Sequence, residues 1–358
     1  MRRIITAALA AFAVLTSTLA LAPAAQAGES VTGKGSSFAN NFMQACIVKY
    51  NAANTGGHTV TYTSTGSGTG KSQFASDAVD FAASDSAYSS GYPTRGYAYV
   101  PVTGGPVAIA YNKVGVKNLK LTPAILSGIF SGSITTWNDP AIVKINKSQA
   151  AKLTGAITVV YRSGTSGTTQ NLQNYLYQTV GGSWPAANQS WAGGSGTGAG
   201  TSAIMVTTIA NTAGSIGYAD VSVVASAGVR VKYALLKNAK GQFVKPTAKA
   251  ASKFLAAQAD PKTNGIVNIN FKKKVKGAYQ LSILTYLIVP TGRGTAEAAV
   301  VRDFSIYAVK VCGKTPAKGY VSLKSGTKKA IWARAIAQSK KAGFYVHGHK
   351  NFGDVYEA

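Results

Sequence analysis

Histidine, cysteine and carboxylate side chains are scarce in this sequence. Its 358 residues include 3 histidines, 2 cysteines and 11 acidic residues. No serine stands in a nucleophile-elbow motif, and His58, His347 and His349 offer few partners for a Ser/His/Asp hydrolase. His347-Gly348-His349 lacks an adjacent carboxylate or thiol ligand, which favours a surface tail over a metal site. We therefore expect a protein that is not an enzyme and that uses neither a metal nor a cofactor.

Long apolar runs are also missing, except at the N-terminus. Met1-Arg2-Arg3 precede an apolar stretch, residues 4–21, and Ala25-Gln26-Ala27 form a small-residue cleavage site. This order is typical of a secretory signal peptide covering residues 1–27. A membrane anchor is the alternative, which the polar sequence from Gly28 onward disfavours. We expect cleavage near Ala27 and a periplasmic or secreted mature protein.

The two cysteines, Cys46 and Cys312, leave two possibilities open. In an oxidising compartment they are candidates for a single disulfide whose loop spans most of the chain. Two buried thiols are the alternative, and the sequence alone does not decide between them.

Negative charge is low, so the chain is strongly basic. The net charge is +26, and without Arg2 and Arg3 the remaining 35 basic and 11 acidic residues give +24. A nucleic-acid-binding protein would concentrate this charge in a patch with interleaved aromatic residues. Here the basic residues are spread thinly, with local clusters such as Lys272-Lys273-Lys274-Val275-Lys276. This pattern favours the solvated surface of an exported protein and no specific nucleic-acid partner.

Small residues are abundant instead, and they gather in turns before predicted helices. Arg162 to Thr169 follow the strand-like run 157–161 and precede a helix-like run, 170–179. The start of a helix presents free backbone N–H groups, and with the guanidinium and hydroxyls of this turn they suit a small tetrahedral anion. The alternative is an ordinary turn that caps a helix.

A second turn, Ser64 to Ser72, comes close to a nucleotide P-loop. That motif requires a glycine five positions before Gly70, and Thr65 stands there. We therefore do not expect a nucleotide. An anion-binding turn remains possible, because the exposed N–H groups of such a turn do not depend on the motif.

Asp85 lies in a small and apolar stretch, residues 80–87. It is either a turn former or helix cap, or an acceptor buried at an anion site. The second interpretation requires an anion that carries a proton to donate.

Two further patterns predict how the elements are arranged. Tyr97 to Asn112 read as an extended segment, broken at Gly104-Gly105, that crosses from one lobe to another, and Leu281 to Val289 read as the return crossing. Thr122-Pro123 predict a helix start by N-cap and N1 proline.

Taken together, these segments resemble the phosphate-binding proteins of ABC phosphate importers, the PstS family of type II periplasmic binding proteins. The order and spacing of the matching segments hold across nearly the whole mature chain. The segments are Gly33-Lys34-Gly35-Ser36-Ser37-Phe38, Gly66-Ser67-Gly68-Thr69-Gly70, Asp80-Phe81-Ala82-Ala83-Ser84-Asp85, Trp137-Asn138-Asp139-Pro140-Ala141-Ile142, Arg162 to Thr168, and Gly214-Ser215-Ile216-Gly217-Tyr218.

The resemblance implies an α/β fold of two lobes, each a central mixed β-sheet flanked by helices, joined by two crossing strands. Residues 28–112 would form the first part of lobe I, residues 113–284 lobe II, and residues 285–358 the second part of lobe I with C-terminal helices and a tail. Inorganic phosphate would be the ligand, ABC permease subunits the partners, and the protein a monomer. The alternative is a secreted basic protein that binds phosphate or an anionic surface without serving transport.

The resemblance also implies the roles of individual residues. Backbone N–H groups of Ser37 and Phe38 and the Ser37 hydroxyl would bind phosphate, as would the hydroxyl and N–H of Ser67. Asp85 would accept the proton of the phosphate and Arg162 would bind two oxygens. A helix start would cap the anion through Ser166, Gly167 and Thr168.

The chain departs from the family pattern at two places. The family often has an acidic residue between the arginine and the Ser-Gly-Thr, where this chain has Gly164-Thr165, so the orientation of Arg162 is an open question. The tail, residues 345–358, has no counterpart in the pattern.

Overall fold

The computed structural model describes residues 28–181 and 184–343. The predicted signal peptide and the tail with His347 and His349 lie outside the described residues. Across the two described ranges, no helix combines the length and apolar character needed to cross a membrane.

The described chain alternates strands and helices. The strands are β1 Ser30–Gly35, β2 Thr59–Ser64, β3 Phe81–Ser84, β4 Tyr97–Asn112, β5 Lys120–Leu121, β6 Thr158–Arg162, β7 Thr197–Ala199, β8 Ser215–Asp220, β9 Lys232–Tyr233, β10 Leu235–Lys237, β11 Phe243–Val244 and β12 Ser282–Pro290. The α-helices are α1 Asn40–Ala53, α2 Ser67–Ala75, α3 Pro123–Ser131, α4 Pro140–Ile145, α5 Gly167–Val180, α6 Ser202–Asn211, α7 Val221–Ser226, α8 Ala248–Ala256, α9 Ala296–Tyr307, α10 Leu323–Gly326 and α11 Lys329–Ser339. Short 3₁₀ helices occupy Lys147–Lys152 and Gly228–Arg230, and a π-helical turn, Ala308–Gly313, follows α9.

A curled mixed sheet organises the molecule. Its strand order is β2-β1-β3-β12-β4-β8-β6-β7, with β9 also paired to β4, and a small second sheet has the order β11-β10-β5. β1 runs parallel to β2 and β3, whereas β12 is antiparallel to β3 and β4. The predicted fold class, a mixed α/β arrangement of sheet and helices, is confirmed.

Strand β4 joins two halves of this sheet. The first half contains β2, β1, β3 and β12, and the second contains β8, β6 and β7. Residues 97–106 pair with β12, and residues 107–112 pair with β8. The expected break at Gly104-Gly105 was wrong, since the strand is continuous. Gly104 is needed for close packing, because a Cβ there would lie 2.7 Å from the Ile283 carbonyl oxygen and 2.8 Å from Cδ1 of Leu255. The lobe boundaries at 112/113 and 284/285 remain a prediction.

Strand β12 does not pair across both halves as β4 does. It is buried along its whole length between β3 and the first part of β4. The run predicted as the return crossing, Leu281 to Val289, thus lies almost entirely in β12, whose partners, β3 and residues 97–106 of β4, belong to the first half of the sheet.

The structure decides between the two possibilities for the cysteines and shows the predicted start of one helix. Of the two possibilities for the cysteines, the structure has the bridge: Cys46 in α1 is bonded to Cys312 in the π-helical turn, with 5.6 Å between the Cα atoms. At α3, Oγ1 of Thr122 accepts a hydrogen bond from the Ile125 N–H and Pro123 occupies the first turn, which confirms the predicted helix start.

Candidate anion-binding site

The candidate residues stand where strands end and helices begin. Ser37 follows β1, Ser67 opens α2 after β2, and Asp85 directly follows β3. Arg162 is the last residue of β6, and Ser166 is the N-cap of α5, its Oγ accepting from the Thr169 N–H. Ligands of open α/β sheets bind beyond the carboxyl ends of the strands, and these residues meet at that edge.

Arg162 connects the two halves of the molecule. Its side chain is 2% exposed, and its Nη1 donates to the Ser37 Oγ at 2.6 Å and to the Ser166 Oγ at 3.2 Å. The Ser37 Oγ also accepts from the Ser202 N–H, the first residue of α6, at 3.1 Å. The starts of α5 and α6 therefore meet the segment after β1 at one guanidinium.

A backbone carbonyl orients this guanidinium. The Gly200 carbonyl oxygen accepts from Nε of Arg162 at 3.1 Å and from Nη2 at 2.5 Å. Gly164 and Thr165, which replace the acidic residue of the family pattern, are exposed. Burial lowers the pKa of the Arg162 guanidinium, while the neighbouring Tyr218 and Asp85 raise it. The open question of its orientation is answered by Gly200.

Asp85 is a buried carboxylate that receives three hydroxyl hydrogen bonds. It is 4% exposed, and its Oδ1 accepts from Ser36 Oγ at 2.6 Å and from Thr285 Oγ1 at 2.7 Å. Its Oδ2 accepts from Thr168 Oγ1 at 3.0 Å. Burial raises the pKa of this carboxyl, and these three hydrogen bonds and the Arg162 charge lower it in part. An ionised carboxylate has about four acceptor positions, so the three donors leave capacity for one more.

The starts of α2 and α5 press closely together beside Asp85. The Ser67 Oγ accepts from the Asp85 N–H at 3.2 Å, and the Gly68 N–H donates to the Thr165 carbonyl at 3.1 Å. A Cβ on Gly167 would lie 2.6 Å from the Ser67 Oγ and 3.0 Å from the Asp85 Cβ. Only a residue without a side chain fits between these two halves.

Several backbone donors at this point remain unused. Within residues 28–181 and 184–343, the N–H groups of Ser37, Phe38, Gly167 and Thr168 have no hydrogen-bonded acceptor. Helix starts carry a partial positive charge, and unused N–H groups there are suited to an anion. The Phe38 ring itself points into the core, where it packs edge-on against Tyr320 at 5.9 Å between centroids.

The structure thus brings together all the residues that the sequence singled out as a site. Each lies within one connected set of hydrogen bonds and close contacts, or, for Phe38, next to a member of it. Four contributing residues were missed, namely Ser36, Gly200, Ser202 and Thr285. The Gly-rich stretch 193–200 before α6 was a signal for two of them, whereas a threonine inside the apolar β12 gave none. Among the described residues no cluster of three or more His, Cys, Asp or Glu is placed to hold a metal ion.

Comparison with known proteins first defines the class. Residues 22–310 match the family described as PBP superfamily domain. The solved structure of a high-affinity periplasmic phosphate-binding protein, PfluDING, superposes with a TM-score of 0.66 at 22% identity, covering 86% of this chain and 93% of that one. A phosphate-binding protein from Stenotrophomonas maltophilia superposes with a TM-score of 0.60 at 22% identity, covering 91% and 92%. These likenesses establish the two-lobed fold of the class.

Sequence relatives then define the family. The phosphate-binding protein PstS3 of Mycobacterium bovis (strain BCG / Pasteur 1173P2) is 36% identical over 272 residues, covering 70% of this chain and 68% of the relative. The phosphate-binding protein PstS of Xylella fastidiosa (strain Temecula1 / ATCC 700964) is 31% identical over 290 residues, covering 77% and 76%. This chain belongs to the PstS family of phosphate-binding proteins, and the resemblance read from its motifs is confirmed.

Proposed function

We propose that this protein captures inorganic phosphate between its two halves and delivers it to the membrane subunits of an ABC importer. One observation carries the proposal: a buried arginine, a buried carboxylate and unused helix-start N–H groups converge on one point. Family membership supports the same ligand, because its relatives are phosphate-binding proteins by name.

The charges at this point are arranged for an anion that carries a proton. Between two residues that the structure describes, ion pairs within 4.0 Å join Arg95 to Asp77, Arg293 to Asp77 and Lys328 to Asp260. Arg162 and Asp85 are therefore not paired with each other. In our proposal the Arg162 guanidinium balances the oxygens of phosphate, and the Asp85 carboxylate accepts its P–O–H proton.

The remaining candidates supply neutral donors. Ser37 and Phe38 donate from the segment before α1, and Ser67 from the start of α2. Ser166, Gly167 and Thr168 close over the anion from the start of α5. Neutral donors and helix starts stabilise a doubly charged anion without adding a counter-ion that must be displaced.

Asp85 is the basis of selectivity in this proposal. Sulfate has no proton at neutral pH, so it would leave the carboxylate facing negative charge without a donor. Failure to satisfy such a buried polar group corresponds to discrimination on the order of 10⁴.

We further propose that the protein acts by capture and release, without chemistry, as an exported monomer. The relatives are binding proteins by name. The described site holds neither a histidine nor a thiol, and its carboxylate, Asp85, already accepts three hydroxyl hydrogen bonds. The N-terminal sequence supports export with cleavage near Ala27. Mass spectrometry of the secreted protein tests this, and an N-terminus that retains residues 1–27 would contradict it.

Calorimetry on residues 28–358 tests the ligand. We expect one phosphate per chain and no measurable heat with sulfate at the same concentration. Heat with sulfate or molybdate but none with phosphate would overturn the assignment.

The Asp85→Asn variant tests the role of the carboxylate. Because the amide no longer requires a proton from the ligand, we expect the ratio of phosphate to sulfate affinity to fall by at least about tenfold, out of the order of 10⁴ available. Asp260→Asn, a surface change of the same chemistry, serves as control and should leave the ratio unchanged. An unchanged ratio in Asp85→Asn would contradict proton acceptance by this residue.

Delivery is tested in cells that lack their own phosphate-binding protein but retain the importer. Expression of this chain should restore uptake of radiolabelled phosphate. Normal phosphate affinity in calorimetry without any restored uptake would refute delivery to that importer while leaving phosphate capture intact.

A further inference from the structure

One stretch of the chain is more basic than the sequence as a whole. Between residues 221 and 296 there are 13 basic residues and a single acid, Asp260. That acid is engaged by Lys328, with 2.8 Å between Nζ and Oδ1. The lysines within residues 221–296 are therefore not neutralised by a carboxylate from the same stretch of chain.

Two lysine-bearing segments of this region are joined by hydrogen bonds. The turn between β10 and β11, residues 238–242, lies against the loop 271–280. The Ala239 N–H donates to Oε1 of Gln280 at 2.7 Å, and the Gly277 N–H donates to Oε1 of Gln242 at 2.7 Å. Asn238 and Gln280, which hold this contact, are both buried. The two segments form one fixed surface although they are far apart in sequence.

This contact gathers five exposed lysines, and Lys237 at the end of β10 adjoins them; we call these six residues the lysine platform. They are Lys237, Lys240, Lys272, Lys273, Lys274 and Lys276. Three of them, Lys237, Lys272 and Lys274, line a single open cavity of about 290 Å³ together with Gln178 and Gln280. Lysines from two separate segments thus border one small open cavity.

The surroundings of the platform limit what it can bind. The strongly exposed large apolar residues of the described chain are Val48, Tyr92, Val114, Tyr177, Ile204 and Val229, and none belongs to either segment. Insertion into a lipid bilayer needs such side chains, and so does stacking on the bases of a single strand. A small open cavity bordered by three lysines also matches a chain one phosphate wide better than the broad face of a duplex or a membrane. The matching partner is a thin, flexible chain with closely spaced charges.

We propose that the lysine platform binds a linear phosphate polymer of the inorganic polyphosphate class. Lysine ammonium groups are compact point charges that bind phosphate oxygens without the planar geometry that arginine imposes. The platform is built from β10, β11 and the loop after α8, whereas the anion site lies at the starts of α2, α5 and α6. The protein thus binds the polymer on its outer surface while the cleft remains available for single phosphate ions.

The salt dependence of binding gives the expected size of the effect. Each phosphate neutralised by a lysine releases condensed counterions, with a slope of roughly −0.7 per contact in log K against log salt for single strands. Six contacts give a slope of about −4, and removal of two lysines reduces its magnitude by about 1.4.

The test uses residues 28–358, long-chain inorganic polyphosphate and saturating inorganic phosphate, which excludes binding of polymer ends in the cleft. Lys272→Gln/Lys274→Gln removes two platform charges, and Lys49→Gln/Lys324→Gln removes two exposed charges elsewhere. We expect the platform variant to bind polyphosphate about tenfold more weakly, with a slope of log K against log salt that is about 1.4 smaller in magnitude. The polyphosphate affinity of the control variant should change less than about twofold. Phosphate affinity should be unchanged in both variants.

Three results would overturn the proposal. Equal losses in the two variants would mean that diffuse net charge, not the platform, is responsible. Absence of polyphosphate binding would remove the partner altogether. Tighter binding of duplex DNA or of phosphatidylglycerol vesicles, at equal charge concentration, would show that the platform recognises another class of partner.

Discussion

Gly167 offers a way to separate closure of the site from stability of the fold. It is the first residue of α5, and its φ is not in the left-handed region that favours glycine. Its missing side chain matters because a Cβ would lie 2.6 Å from the Ser67 Oγ and 3.0 Å from the Asp85 Cβ, both in the other half. Gly167→Ala should therefore oppose closure without disturbing either half by itself.

The magnitude follows from the two opposing effects. Replacing glycine by alanine at a compatible position stabilises a fold by about 0.4–1 kcal/mol, mainly by restricting the unfolded chain. Overpacking of a close contact costs about 1–3 kcal/mol. Because this cost falls on the closed form, phosphate affinity should decrease by roughly 5- to 150-fold. The melting temperature without phosphate should be equal to that of the wild type or slightly higher.

Gly164 provides a matched control three residues away. A Cβ there would have no heavy atom within 4 Å, so Gly164→Ala gains the same chain stiffness without a clash. Calorimetry with phosphate and thermal unfolding of both variants are the measurements. Equal phosphate affinity in the two variants would refute the reasoning on closure. A lower melting temperature confined to Gly167→Ala would show instead that the clash already exists in the ligand-free protein.

Two further predictions concern stability. Replacing Cys46 and Cys312 together by alanine should lower the free energy of unfolding by about 2–5 kcal/mol, since the bridge closes a loop of 266 residues; urea unfolding measures this, and an unchanged midpoint would contradict it. Asp220, 1% exposed at the end of β8, has its pKa raised to about 7 by burial. Because the folded chain holds the proton of this carboxyl more tightly than its ordinary pKa of 3.8 allows, the group favours the fold most below about pH 4. It loses this contribution as pH rises to about 7, so the free energy of unfolding should fall between about pH 4 and 7 and level off above. Asp220→Asn, which keeps an oxygen for Ser222 and the Val223 N–H, should flatten this fall, and an identical pH profile would refute the assignment.

The local elements were predictable because their signals lie within a few residues. Thr122 and Pro123 mark a helix start by capping chemistry, which needs no tertiary information. The course of β4 was harder, because Gly104 in an apolar strand has two meanings in a sequence. A glycine in a strand either interrupts the strand or lets a neighbouring group pack closely against the backbone. At Gly104 the positions of Leu255 and Ile283 show close packing, and these neighbours are distant in sequence.

The site was predictable as a set of segments, but its internal contacts were not. Turns before helices indicated where donors would lie, Arg162 and Asp85 stood out in their segments, and the resemblance to a family supplied the role of each toward phosphate. The hydroxyl of Thr285 reaches Asp85 from a position 200 residues away, inside a strand whose other residues are largely apolar. Such a contact depends on the register between β12 and β3, which local sequence patterns do not determine.

Arg162 is oriented by a neutral group where the family pattern often has an acidic residue. A carboxylate beside Arg162 would fix its guanidinium and also neutralise part of its charge. The Gly200 carbonyl fixes two of its nitrogens through a neutral dipole instead. The full positive charge therefore stays available to a bound anion, at the expense of burying a guanidinium without a direct ion pair. Because Asp85 receives only hydroxyl donors, the two charges act on different atoms of the ligand, one on its oxygens and one on its proton.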